Sequence, residues 1–298
     1  MKILSTLLVA ALAVTSLQAA PKKLLVVTTT TGFRHSSIPT AEKILAQLGK
    51  DTGEFTVDFV QQPPGAHAGN GFPAKLKDDA TPEQKKAFEE AEAKWNDALK
   101  TELQKLSPEN LKNYDGVVFA STTGDLPVPD KQGFLDWIKA GHAFIGIHAA
   151  ADTFHGYPDF IAMLGGEFAH HGPQVSVECL NQDGAHPATA ALGKTWTISQ
   201  EEIYQFKNYD PATVHDLLIM DKHPEHKETA GHFPVSWCKH YGTGNVFYTS
   251  LGHREDVWDA DPDMKDRKND PTISKAYQQH VLGGIEWALG LKTSGPVP

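Results

Sequence analysis

Short apolar runs alternate with amphipathic segments through most of this chain, and the alternation predicts the fold class before any single residue does. Residues 23–29 form a short stretch rich in Leu and Val. Residues 38–48 carry apolar side chains at helical spacing and meet Gly49, and Phe55–Val60 alternates apolar with polar positions. The first third therefore reads strand, helix, strand, with the helix stopping at Gly49. Residues 61–71 are loop chemistry, rich in Pro, Gly and Asn. Thr81-Pro82-Glu83 then opens a charged helix running to about Leu106, with Phe88, Trp95 and Leu99 on one face. Segment 61–110 reads as a helical insertion docked on the core. The alternation resumes with a strand at 115–120, a helix at 129–140 stopped by Gly141, a strand at 143–148 and a short helix at 157–164 ended by Gly165 and Gly166. Strands alternating with helices imply right-handed crossovers and a parallel sheet. Between Gln174 and Trp237 the pattern changes to alternating strands (175–179, 195–198, 214–220), which predicts antiparallel excursions. A core strand at 244–250 and an amphipathic helix at 273–289 close the chain. No internal repeat or linker divides it, so residues 21–298 are expected to form one α/β domain.

Residues 1–20 have a different pattern: Lys2, an apolar stretch to Leu17, then Gln18-Ala19-Ala20. That is the form of a secretory leader, too short to span a bilayer, and predicts an exported protein, periplasmic or extracellular. The formal net charge of −10 opposes a nucleic-acid surface, which needs a positive field. Cys179 and Cys238 are the only cysteines and can form one disulfide in an oxidising compartment. Fifteen histidines in an acidic, exported chain make divalent metal binding a candidate property.

Three of those histidines, His35, His148 and His253, each follow an apolar run and a Gly-containing turn. In a parallel sheet all three leave from the same edge, the edge where ligands bind in α/β folds. Imidazoles converging from separate strands are the usual ligands of a catalytic metal such as zinc. Glu201-Glu202 adds a carboxylate that can complete the coordination sphere, act as general base, or merely flank a strand. Asp152, one helical turn beyond His148, either orients that imidazole or caps the turn. His170-His171 reads as a loop pair of which at most one enters a site, whereas His186, His223, His226, His232 and His240 are expected in solvated loops. Phe33, Tyr204 and Trp237, with the hydroxyls of 28–31, suit a polyol pocket. No Gly-x-Ser-x-Gly elbow, dinucleotide fingerprint or phosphate loop is present, so no nucleotide cofactor is expected.

Taken in order, Gly32-Phe33-Arg34-His35-Ser36, Gly146-Ile147-His148-Ala149-Ala150-Ala151-Asp152, Glu201-Glu202-Ile203-Tyr204, Pro234-Val235-Ser236-Trp237, residues 242–248 and Gly252-His253 resemble the trehalose-utilisation (ThuA-like) family over about residues 23–290. The resemblance implies a flavodoxin-like three-layer sandwich similar to class I glutamine amidotransferases. Where their elbow reads Gly-Ile-Cys-Leu-Gly, this chain has His148 in place of the nucleophile. His253-Arg254-Glu255 resembles their His-Pro-Glu motif. Imidazole cannot form a thioester, so glutaminase activity is not expected. The family's association with sugar utilisation, beside dehydrogenases that make 3-keto sugars, implies a small-molecule carbohydrate as partner. The leading expectation is an enzyme, a hydrolase or lyase acting on a 3-keto-glycoside. A divalent metal would be held by His35, His148 and His253, with Glu202 as base and Phe33, Asp152, Tyr204 and Trp237 as pocket. The alternatives are a non-catalytic carbohydrate- or metal-binding protein, and a metal-independent hydrolase using Glu202 and Glu255 as a carboxylate pair.

Overall fold

The computed structural model describes residues 20–64 and 76–298; the leader-like segment and the 65–71 part of the predicted loop lie outside the described residues. In chain order the elements are β1 (Lys22–Val27), α1 (Ile38–Thr52), β2 (Phe55–Val60), α2 (Pro82–Leu103), α3 (Pro108–Leu111), β3 (Gly116–Ala120), α4 (Lys131–Lys139), β4 (Ala143–Ile147), α5 (Pro158–Leu164), β5 (Glu167–His171), β6 (Val175–Asn181), β7 (Thr195–Glu201), β8 (Tyr204–Lys207), β9 (His215–Lys222), β10 (Ala230–Tyr241), β11 (Gly244–Thr249), α6 (Glu255–Trp258) and α7 (Pro271–Ala288).

The α/β sandwich predicted from the alternation is the fold observed. A nine-stranded sheet runs β2-β1-β3-β4-β11-β10-β9-β6-β7. Its first five strands are all parallel, in the flavodoxin-like order, and the remaining four pair antiparallel. The predicted antiparallel strands thus extend the same sheet. Strands β1 and β3 bury every other side chain on opposite faces, so Leu24, Val26 and Val118 pack beneath α1 and α7, while Leu25, Val27, Val117 and Phe119 pack against α2, α4 and α5. Helix α2 begins with a capping box at Thr81 and Gln84 and docks through Trp95, Leu99 and Leu103. Phe88, expected on that face, is only half-buried.

Two local expectations are corrected. Helix α1 does not stop at Gly49; it continues to Thr52 and ends on Gly53, whose φ of 68° is the left-handed C-cap conformation. Gly49 is small for another reason: a Cβ there would lie 2.7 Å from the Phe55 carbonyl, so it permits helix and strand to approach. His170 and His171 are not in a loop. They lie on β5, which pairs with β8 as a separate two-stranded ribbon that the sequence pattern did not announce.

The cysteines do not pair. Cys179 on β6 and Cys238 on β10 are both buried and free, with β9 between them. Two strand spacings are about 9.5 Å, beyond the Cα separation a disulfide tolerates. His186 is likewise not solvated. It is fully buried, its Nδ1 accepts from Ala188 N at 3.1 Å, and its Nε2 lies 3.6 Å from Cys238 Sγ. On the other side of Ala188, buried His280 donates from Nδ1 to the Ala188 carbonyl at 2.9 Å. Burial pushes both His186 and His280 down to a pKa of about 4. Both are neutral when folded yet take up a proton near pH 6.5 when unfolded. Between those values the unfolded chain binds more protons, and stability falls as pH falls. Each group accounts for about 3 kcal/mol across that window. Urea melts at pH 7.5 and 5.0 are expected to show a large loss at the lower pH, and His280→Gln is expected to flatten the dependence. A pH-independent midpoint would contradict this.

Candidate functional site

Because β1, β4 and β11 are parallel, the loops after them leave from one edge of the sheet. His35 follows β1, His148 opens the 3₁₀ turn after β4, and His253 follows β11. Glu202 joins them from the junction between β7 in the main sheet and β8 in the ribbon. Each of the four offers one ligand atom, and these atoms lie within 4.8 Å of one another.

The local geometry explains why these side chains face inward. His148 has a φ of 51°, left-handed backbone that a non-glycine residue adopts at a cost of about 1–2 kcal/mol. This is the strained strand-to-helix elbow that aims a side chain above a sheet edge. The elbow is braced by Tyr248 Oη donating to the His148 carbonyl at 2.7 Å. Gly146 allows the crossing, since a Cβ there would lie 2.9 Å from the Tyr248 ring. His148 Nδ1 lies 2.7 Å from the Ser250 carbonyl, which can only accept, so Nδ1 carries the hydrogen. The Nε2 lone pair is thereby left facing the cluster.

Three of the separations suit a shared ion. His148 Nε2 is 3.2 Å from His35 Nε2 and 3.6 Å from Glu202 Oε2, and Glu202 Oε2 is 3.2 Å from His253 Nδ1. Tetrahedral zinc with ligands at about 2.0–2.1 Å places neighbouring ligand atoms about 3.3 Å apart. His253 Nδ1 is buried and, despite its proximity to Glu202, makes no hydrogen bond of acceptable geometry. Burial lowers the pKa of His35 to about 4, helped by His253, and holds His148 well below the usual value, helped by His35. Both are neutral, as ligands must be. Burial alone would lower His253 too, but the neighbouring Glu202 carboxylate reverses this and raises it. The His/Glu cluster therefore has the donor set to hold a divalent metal ion.

The adjacent carboxylate plays another part. Glu201 is fully buried and its Oε1 accepts from the His253 backbone N–H at 2.7 Å, fixing the loop that carries the imidazole. Burial raises its pKa to about 7, an effect that His253 partly offsets. His171, from the predicted pair, brings Nδ1 to 3.1 Å from Glu202 Oε1, whereas His170 points to solvent.

The other predicted residues divide. Phe33 is 50% exposed, with its ring 4.8 Å from that of His35, and forms an aromatic wall at the mouth. Tyr204 packs beside His148, its ring tilted by 35° with 4.5 Å between centroids. Asp152 does not orient His148: that is done by Ser250. The turn is 3₁₀, so the residue eclipsing His148 is Ala151, and Asp152 is rotated away. Its carboxylate instead bonds His155 Nε2. Glu255 accepts from Ser36 Oγ at the start of α6 and stands outside the four-ligand cluster. Trp237 is not pocket lining. It is fully buried in the core beneath α5, where Nε1 donates to the Leu164 carbonyl at 2.7 Å. A half-exposed His155, with buried Glu167 behind it, was not singled out by the sequence, having no strand-end or motif context.

Among the described residues, no helix is long and apolar enough to cross a membrane. No curated protein matches the chain by sequence. Among solved structures, a ThuA-like protein from Parabacteroides merdae is 20% identical, with 93% of each chain covered and a TM-score of 0.61. A ThuA-like protein from Bacteroides uniformis is 18% identical, covers 90% of this chain and 92% of its own, and has a TM-score of 0.58. These likenesses speak for the fold. A family model described as trehalose utilisation matches residues 70–288; His35 lies ahead of that match and reaches the site through the fold. With well over half of its length matched, the chain belongs to the trehalose-utilisation (ThuA) family.

Proposed function

We propose that this protein is an exported enzyme that cleaves 3-keto-glycosides with a divalent metal held by His35, His148 and His253. The observation that carries the reading is the three-imidazole, one-carboxylate cluster at the carboxyl edge of the parallel strands, with His148 on the strained elbow. The family's sugar association supplies the substrate class. The leader-like residues 1–20 support export. When bound, the ion supplies Lewis-acid polarisation of the substrate ketone.

The chain's own residues account for the rest. A ketone at C3 acidifies the proton at C2. Glu202, almost fully buried beside His253 and His171, takes that proton. The C–H electrons form the C1–C2 double bond and the C1–O glycosidic bond breaks. Phe33, half-exposed beside His35, offers an aromatic face to the sugar ring, and buried Tyr204 packs against the His148 ring. Elbow His148 cannot form a thioester, so glutamine is not a substrate.

Metal analysis of purified protein, together with assays on 3-keto-glucosides, tests the reading. About one ion per chain and aglycone release that stops on chelation are expected. Sugar binding by calorimetry without turnover would instead identify a binding protein. Chelator-insensitive cleavage would favour the Glu202 and Glu255 carboxylate pair.

A further inference from the structure

An elimination needs a proton for its leaving group as well as a base for C2. On the ribbon side of the site lies a second ionisable set. Asp152 ends the 3₁₀ turn that His148 begins, about 8 Å along the chain axis at the rise of such a turn. Its carboxylate bonds His155 Nε2. The opposite nitrogen, His155 Nδ1, lies 2.8 Å from Glu167 Oε1. Glu167 is buried and fully engaged: it also accepts from Gly156 N at 3.1 Å and from Asn208 Nδ2 at 2.8 Å, and lies 3.3 Å from Lys207 Nζ.

This is a relay with a fixed inner end and an open outer one. The His155 side chain is 43% exposed and that of Asp152 23%, against 3% for Glu167. Ring contacts connect the relay to the cluster. His155 packs near Phe168, Phe168 packs on Tyr204 at 4.3 Å, and Tyr204 lies against His148. His171, in contact with Glu202, is close enough to Asp152 to act on its charge. No strand end or motif requires a buried Glu behind a half-exposed His–Asp pair here, and a stability role alone does not explain leaving that pair open to solvent.

We infer that Asp152 and His155 form the general acid of this site, positioned by Glu167, and that they protonate the departing glycosidic oxygen. The inference rests on the 3-keto-glycoside reading. As the C1–O bond breaks, its electron pair stays on oxygen. The proton shared between Asp152 Oδ1 and His155 Nε2 moves to that oxygen, leaving the pair one proton poorer. Glu202 holds the C2 proton, and solvent exchange restores both groups, so nothing is oxidised or reduced. Burial favours the protonated form of Asp152 more than His155 opposes it. The two flanking carboxylates raise His155 against the effect of its burial.

Leaving groups separate this role from a structural one. A nitrophenolate departs without protonation, whereas an alkoxide does not. Asp152→Asn and His155→Gln are expected to lower kcat/KM about 10²–10⁴-fold on an alkyl 3-keto-glucoside and less than about tenfold on the nitrophenyl analogue. Both variants should still exchange the C2 proton of a 3-keto sugar with D₂O, because that step needs only Glu202; retained exchange also certifies the fold. Equal losses on the two leaving groups, or loss of exchange together with elimination, overturn the general-acid assignment while leaving the site reading intact. A wild-type protein that neither exchanges C2 nor releases either aglycone overturns the reading itself, and the inference with it.

Discussion

Replacing His148 with alanine is expected to abolish both metal retention and turnover. His148 is fully buried, its Nε2 sits at the centre of the cluster, and its Nδ1 is fixed by Ser250. Loss of an outer-shell partner alone typically costs 10–100-fold in metal affinity, so loss of a ligand should exceed about a hundredfold. Metal content after dialysis and 3-keto-glucoside turnover are the measurements, and full activity in His148→Ala would sink the mechanism. The elbow provides an internal control. Alanine keeps a Cβ at a φ of 51°, whereas glycine does not. His148→Gly should therefore be equally inactive yet more stable than His148→Ala, by about 1 kcal/mol. A glycine variant less stable than alanine would show that the imidazole, and not the backbone, sets the conformation.

The second large effect concerns Glu202. Glu202→Gln preserves size and removes the basic oxygen, so kcat is expected to fall about 10²–10⁴-fold with metal content unchanged. The contacts at 3.2 Å to His253 and 3.1 Å to His171 make the carboxylate the best-placed proton acceptor in the cluster. If the variant instead loses the ion, Glu202 is a fourth ligand and the base lies elsewhere. C2 deuterium exchange separates the two: it should vanish in Glu202→Gln and persist in the Asp152 and His155 variants.

Glu201 and Glu202 show where sequence reading stops. Adjacent in the chain and identical in chemistry, they divide into a buried brace for the His253 backbone and a carboxylate facing three imidazoles. The division depends on which direction the chain takes as it leaves β7 for the ribbon. That turn has no periodicity to betray it. The separation of Asp152 from His148 suits one face of an α-helix, but the turn is 3₁₀, which shifts the next face by a residue. By residue type Trp237 suits a pocket, but strand alternation puts it on the inner face, beneath α5.

The sequence by itself determined the parallel core and the three histidines at its edge. Apolar runs of strand length ending in Gly and His carry that information locally, and burial of such runs leaves one sandwich as the economical solution. Only the tertiary structure decided that His35, His148 and His253 come within reach of one ion. It also decided that Glu202 rather than Glu201 joins them, that β9 keeps Cys179 and Cys238 apart, and that Glu167 stands behind His155. Those outcomes rest on strand order, backbone hand at an elbow and the path of a ribbon, all set by contacts between residues far apart in the chain. Local hydrophobic patterning does not encode them.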